Sequence, residues 1–426
     1  MQTVVTIVEA MLDWLIIGGG IHGTFLAHAL LHHGYARASR TRILDPNRRL
    51  LAEWRRRADN CGMRYLRSPA AHALVPDFTA LLAWASRHGY DRNRHTIPPY
   101  ARPSLELFNA HAEGSVSSER LSELHIAGRA MEITREHARW LVELDDGSRM
   151  EAKGVLLAPG RAPGLRRPSW AHREDRAIVH VFETAFDRSA AERASRPIVV
   201  GGGVTGAHLA LHLADHRRPV RLIVREELRV HQFDSEPCYI GPACMRRFLA
   251  TDDPGQRREI LRESRYPGSV PPELAQRLED ARHAGLLEVV VDEIVEAGRA
   301  DSETIVLSGR RGRWYGDLVV LATGFAPGPP GGRLRAGLAC GAATGAPLPV
   351  DEAGFPIPSE SLEWAPGLYV TGALAEQELG PAAGNIVGAH NAAKRIIGHL
   401  SGRPRRVPGS WRRYAPADAS SSSGSS

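Results

Sequence analysis

Two short stretches of this chain carry residue types and spacings that chemistry would demand. Gly18, Gly20 and Gly23 fill a G-x-G-x-x-G pattern, and Gly201, Gly203 and Gly206 fill a second. In such a loop the first glycine makes a tight strand-to-helix turn. The second, lacking a Cβ, lets a pyrophosphate reach the backbone, and the third lets helix and strand pack closely. The helix that follows offers unpaired N–H groups and a partial positive charge to the phosphates. A single such pattern says little in a chain of 426 residues with 42 glycines. Two of them, each set between an apolar run and an Ala/Leu-rich helix former, point to two dinucleotide sites.

Charged residues at the ends of the following strands tell the two loops apart. Asp45 follows Gly23 by 22 positions, where a carboxylate accepts hydrogen bonds from an adenosine ribose and repels a 2′-phosphate. The first loop therefore suits FAD or NAD. The second unit ends in Val224-Arg225-Glu226. Arg225 would pair with a 2′-phosphate and favour NADPH, whereas Glu226 would bind a ribose diol and favour NADH. Both also read as solvated strand-end charges. NADPH is the expected reductant, with NADH as the alternative.

Other chemistries lack their residues. Cys61, Cys238, Cys244 and Cys340 are too few for a disulfide scaffold, and their spacing matches neither a zinc knuckle nor a C-x-x-C redox dithiol. His28 and His32 stand four apart on a helix former, but no HExxH pattern or clustered carboxylate joins them, so no metal is expected. There is no G-x-S-x-G elbow, and no Gly-Lys-Ser/Thr follows Gly201 to make a P-loop.

The elements that must position the loops are legible. Leu12 to Ile17 and Ile198 to Val200 are continuous apolar runs, as expected of parallel strands buried on both faces. Second strands follow at Thr41 to Leu44 and Val220 to Val224, completing two βαβ units. Further strands end in glycine turns at Gly154 to Gly160, Asp317 to Phe325 and Gly367 to Gly372, and Trp140 to Leu144 and Thr304 to Leu307 read as small antiparallel meanders. The expected fold is α/β, with one dinucleotide domain inserted in another. Residues 1–163 would open an FAD-binding domain and 164–326 an inserted NAD(P)H-binding domain, with a polar helical insertion near 229–285. Residues 327–400 would complete the FAD domain, and 401–426 a disordered, basic, Ser-rich tail.

Composition bounds the partners. At 43% hydrophobic and 24% charged residues, a wholly disordered, collagenous or coiled-coil chain is excluded. No stretch approaches the roughly 18 unbroken apolar residues of a membrane span. The first twenty residues hold Glu9 and Asp13 and run into a glycine turn, unlike a secretory signal. A soluble cytoplasmic protein is expected. Of the net +6, the tail carries +4, with Arg403, Arg405, Arg406, Arg412 and Arg413 against Asp418 alone. The body is close to neutral, so neither nucleic acid nor membrane is expected as a partner.

Ala158-Pro-Gly160 and Ala322-Thr323-Gly324-Phe325, each closing a strand behind a glycine loop, resemble the two-dinucleotide-binding-domain flavoproteins. The second is similar to the ATG-aromatic signature of class B flavin monooxygenases. Within that group the chain most resembles the NADPH-dependent lysine and ornithine N-hydroxylases. Glu53-Trp54 with Cys61-Gly-Met63 and Tyr65 to Ser68 resemble that family's flavin-side segment, which implies a flavin-binding role for Trp54. Val179 to Phe186 sits where that family has a His-Ser-x-x-Tyr-like stretch before the second loop, which implies a catalytic role for His180; it also reads as a core histidine. Gly380 to Ile386 resembles the segment beside the isoalloxazine, which implies that Asn385 bonds the flavin; it also reads as a helix N-cap. The resemblance implies that Ala322, Thr323 and Gly324 belong to the NADPH site. It further implies a monooxygenase that inserts one oxygen into an amine or another soft nucleophile through a C4a-hydroperoxyflavin. Its partners would be a small-molecule substrate and oxygen, with homo-oligomers allowed. The alternatives are a flavin-dependent NAD(P)H oxidoreductase without oxygen insertion and a flavin-binding protein with degenerate activity.

Overall fold

The computed structural model describes residues 11–402, apart from 162–163, 217 and 342–343. The expected tail beyond Gly402 lies outside the described residues. Two sheets, one mixed around a parallel centre and one parallel, organise the chain. The first has eight strands, and its central ladder runs Glu363–Ala365, Leu368–Val370, Arg149–Leu157, Leu12–Ile17, Thr41–Asp45 and His125–Ala127, with the hairpin Ala130–Glu136 and Arg139–Leu144 attached to Arg149–Leu157. The second has five parallel strands ordered Leu287–Val291, Val220–Val224, Pro197–Val200, Leu318–Leu321 and Ile178–His180. A three-stranded antiparallel meander, Ile294–Arg299, Ile305–Gly309 and Arg313–Gly316, adjoins it.

The strands sit where the apolar runs placed them because continuous apolar residues can be buried on both faces of a sheet. Leu15, Ile16, Ile43 and Leu156 are fully buried in the first core, beneath the helices Ile21–His32 and Ile386–Leu400. Val199, Leu222 and Val320 fill the second core, with Ala207, Leu209 and Ala210 of the helix Val204–Ala214 and Leu274 and Leu278 of the helix Pro272–His283. His28 is buried 3.8 Å from Glu119, in keeping with a core role.

The segment between Val224 and Leu287 is helical, as its polarity suggested. It holds helices Pro242–Leu249, Pro254–Glu263 and Pro272–His283, each opening on a proline whose missing N–H costs nothing in a first turn. Cys238 and Cys244 are disulfide-bonded. The sequence spacing did not suggest a bond; a short helical turn followed by the start of Pro242–Leu249 folds the six-residue separation back to a Cα–Cα distance of 5.3 Å. No helix among the described residues is long and apolar enough to cross a membrane.

Candidate dinucleotide sites

Both glycine loops have the geometry their sequence requires. Gly18 has φ +115° and Gly201 φ +134°, a region favouring glycine. A Cβ on Gly18 would stand 2.1 Å from the Ala158 carbonyl oxygen, and one on Gly201 would stand 2.4 Å from that of Ala322. Thus Ala158 and Ala322 play the same part: each closes the floor of its loop. The third glycines are equally confined, with a Cβ on Gly23 at 1.8 Å from Gly18 O and one on Gly206 at 2.0 Å from Gly201 O. The middle glycines face space. A Cβ on Gly20 would meet nothing within 4 Å, and one on Gly203 only Gly268 Cα at 3.7 Å. Gly20 and Gly203 are the N-caps of their helices, and no side chain caps either. Open space in front of uncapped helix N–H groups is what a pyrophosphate needs. The residues present fit two dinucleotides.

The strand ends distinguish the two sites more sharply than residue counting did. Gly18 N–H donates to Leu44 O, and Gly201 N–H donates to Ile223 O. Asp45 is therefore equivalent to Val224, and the register Ile17↔Leu44 beside Val200↔Ile223 agrees. Asp45 accepts from Gly19 N–H at 2.7 Å and from the backbone and side chain of Asn47 at 2.9 and 2.8 Å, fixing its carboxylate at the loop mouth. In the second unit the same place holds a buried, apolar Val224. Arg225 comes next, exposed, and Glu226 is paired with Arg229 at 2.7 Å. Counting from the third glycine left Arg225 and Glu226 as alternatives with NADPH preferred; the register puts Val224, not Glu226, at the place that Asp45 holds in the first unit.

The remaining sequence candidates fall in three places. Trp54 packs edge-on against Phe108 and its Nε1 donates to Asn109 at 3.3 Å, so it joins the helices Ala52–Asn60 and Leu105–Ser118. The Thr323 hydroxyl donates to Arg166 O, and Leu165 pairs with Phe325. Thr323 and Gly324 thus hold the segment linking the two domains, while Ala322 and the Thr323 backbone nitrogen lie against Gly201 of the glycine loop. Phe325 stacks on Phe182 with Arg57 4.9 Å above it. His180 ends an edge strand; its Nδ1 accepts from Phe182 N–H at 3.2 Å, Nε2 is buried without a partner, and burial pushes its pKa down to about 4. That burial favours the neutral imidazole.

Asn385 stands at the N-cap of Ile386–Leu400 without capping it. Its amide instead donates to Asp234 of the helical insertion at 2.9 Å. His22, in the first turn after Gly20, joins the two helix starts, with Nδ1 2.9 Å from Thr371 Oγ1 and Nε2 3.0 Å from Asn385 O. A carbonyl only accepts, so Nε2 carries the proton and Nδ1 accepts from Thr371. Burial pushes this imidazole to about 4, so it stays neutral. Arg161 reaches the same place, its guanidinium 3.1 Å from where a Cβ on Gly384 would stand.

Several residues that sequence reasoning passed over fasten the insertion here. Arg67 donates to the carbonyls of Gln232 at 3.0 Å, His231 at 2.6 Å and Phe233 at 2.5 Å, and to Ser269 Oγ at 3.0 Å. Glu376, 2% exposed, pairs with Arg258 and with Arg265 at 2.5 Å; Asp351 also pairs with Arg258, and Glu378 with Arg257 at 2.7 Å. Their only sequence signal is compositional. Just two of the 54 basic residues, Lys153 and Lys394, are lysines, and arginine's forked donors suit clamps of this kind. A cleft of about 1170 Å³ between the insertion and the helices Ile21–His32 and Ile386–Leu400 contains none of the loop glycines.

Two glycine loops of this geometry, each behind a parallel strand of its own sheet, define a flavoprotein oxidoreductase with two dinucleotide-binding domains. The chain belongs to the pyridine nucleotide-disulphide oxidoreductase family, whose model matches residues 92–395. An FAD-NAD(P)-binding model matches residues 15–162. No curated protein matches the chain. Among solved structures it is similar to the ornithine hydroxylase PvdA from Pseudomonas aeruginosa, at 18% identity and TM-score 0.72, over 92% of this chain and 99% of that one. It is also similar to FAD-bound DfoA from Erwinia amylovora, a cadaverine monooxygenase, at 14% identity and TM-score 0.71, over 97% and 100%. The bacillithiol disulfide reductase Bdr from Bacillus cereus matches at 15% identity and TM-score 0.57, over 92% and 100%. At these identities the likeness establishes the fold.

Proposed function

We propose that the chain is an FAD-dependent, NADPH-consuming monooxygenase acting on an amine or another soft nucleophile of low molecular mass. The observation that carries this reading is the helical insertion, fastened over residues 376–385 by Asp234 to Asn385 and by the pairing of Arg258 and Arg265 with the buried Glu376. Oxygen transfer needs water kept from the reacting groups, whereas plain electron transfer does not. The greater likeness to two hydroxylating monooxygenases than to a disulfide reductase supports the same reading. So does the cysteine pair, six residues apart rather than C-x-x-C.

FAD would lie on the loop of Gly18, Gly20 and Gly23 with its ribose at Asp45, and NADPH on the loop of Gly201, Gly203 and Gly206 with its 2′-phosphate at Arg225. The flavin supplies the redox chemistry when bound. The chain orients it. His22 ties together the two helix starts that face it, and Asp234 fixes the Asn385 amide. NADPH is preferred over NADH because Val224 leaves no carboxylate at the ribose position, and Glu226 is turned to Arg229.

The test is a balance of products on the FAD-loaded protein. With candidate amines, NADPH oxidised and oxygen consumed should match hydroxylated product, with little peroxide released. NADPH oxidation that never yields oxygenated product, while an added acceptor is reduced, would establish the simple oxidoreductase instead.

A further inference from the structure

Away from the glycine loops, three side chains with metal-binding donors meet where the two domains touch. Glu192 comes from the helix Arg188–Arg193. His212 lies in the last turn of Val204–Ala214, and His216 follows one turn later. A spacing of four puts both imidazoles on one side of the helix end. Glu192 Oε1 stands 2.8 Å from His212 Nε2 and 3.9 Å from His216 Nε2. One donor atom from each residue lies within 4.8 Å of the others. A hydrogen bond accounts for His212 but not for His216, which is too far to make one. Two ligands on a tetrahedral zinc ion, with bonds near 2.1 Å, stand about 3.4 Å apart. The two observed separations bracket that value. The side chains are 22%, 23% and 42% exposed for His212, Glu192 and His216, so a hydrated ion can enter and water can complete its shell.

We propose that Glu192, His212 and His216 bind one divalent transition-metal ion of the zinc class, with water in the remaining position. Two imidazoles select such ions over magnesium and calcium. The ion joins two helices that each touch the flavin-side domain. Arg188 Nη1 donates to Asp59 O at 3.0 Å, and the His212 ring lies where a Cβ on Gly62 would be 2.6 Å away. Binding therefore stiffens the seam between the domains. Arg188 is also a competitor, because its Nε lies 3.2 Å from the same Glu192 oxygen and must move aside.

Titrating tag-free, FAD-loaded protein with Zn²⁺ in a calorimeter tests this, with Ca²⁺ as control. The expected result is one Zn²⁺ per chain, a higher melting temperature with Zn²⁺, and no Ca²⁺ binding. His216→Ala and Glu192→Gln, both at partly exposed positions, should each weaken binding about tenfold or more. Arg188→Ala keeps all three ligands and should tighten it. No Zn²⁺ binding, equal Ca²⁺ binding, binding indifferent to both ligand substitutions, or weaker binding in Arg188→Ala would each overturn the proposal.

Discussion

The two glycines Gly20 and Gly23 lie three residues apart, yet alanine at each should fail in a different way. A Cβ on Gly23 would sit 1.8 Å from Gly18 O, against a floor of 3.0 Å for real Cβ contacts, so a carbonyl in the strand-to-helix turn must move about 1.2 Å. Backbone cannot rotate away as a side chain can. Overpacking of this kind costs about 3 kcal/mol, or roughly 6–12 °C of melting temperature for a domain of about 200 residues. Gly20 has φ −79° and ψ −167°, which alanine adopts freely, and open space at its Cβ. Gly20→Ala should therefore leave the apoprotein as stable as wild type, or up to about 1 kcal/mol more stable. Its cost falls on the pyrophosphate. Losing one hydrogen bond to a charged group costs about 1.5–3 kcal/mol, or about 10- to 100-fold in FAD affinity. Thermal melts of the flavin-free proteins and FAD titrations followed by flavin fluorescence separate the two. The reasoning fails if Gly20→Ala lowers the apoprotein melting temperature as much as Gly23→Ala, or if Gly20→Ala binds FAD like wild type.

Other outcomes follow from the same geometry. Arg225→Ala should raise KM for NADPH about tenfold and leave KM for NADH unchanged; equal effects would remove the 2′-phosphate from Arg225. Acid should destabilise the fold, because burial pushes His208 and His390 to about 3 and His22, His72 and His111 to about 4. The unfolded chain binds these protons near pH 6.5 and the folded chain does not. Stability is then fully present above pH 6.5 and declines as pH falls towards 4, by up to about 1.4 kcal/mol per pH unit for each histidine. Melting temperatures recorded from pH 7.5 to 4.5 should fall, with a smaller slope in His208→Gln; equal slopes would contradict the assignment. Under denaturing conditions the unreduced protein should titrate two thiols, Cys61 and Cys340, and the reduced protein four. Glu376→Gln removes one charge from a buried group shared by Arg258 and Arg265 and should cost about 3 kcal/mol in a denaturant melt; an unchanged midpoint would show that the insertion is held elsewhere.

The amino-acid sequence by itself determined what depends on near neighbours. An apolar run, a glycine trio and an Ala/Leu helix lie within about twenty residues of one another, so both βαβ units and their loop chemistry could be read directly, Gly18 and Gly201 included. The polar helical insertion was legible for the same reason. Tertiary structure decided what depends on partners far along the chain. The equivalence of Val224 with Asp45 follows from strand register, which the unequal stretches after Gly23 and Gly206 conceal from counting. The contacts of Trp54, Thr323 and His180 with the Asn109 side chain, the Arg166 carbonyl and the Phe182 N–H join segments that the sequence does not place side by side. The clamps from Arg67 to residues 231–269, from Asp234 to Asn385 and from Arg258 to Glu376 join residues more than one hundred positions apart. The grouping of Glu192 with His212 and His216 likewise needed two helices brought side by side. No local periodicity encodes such pairs; the packing of two sheets and an insertion against one another does.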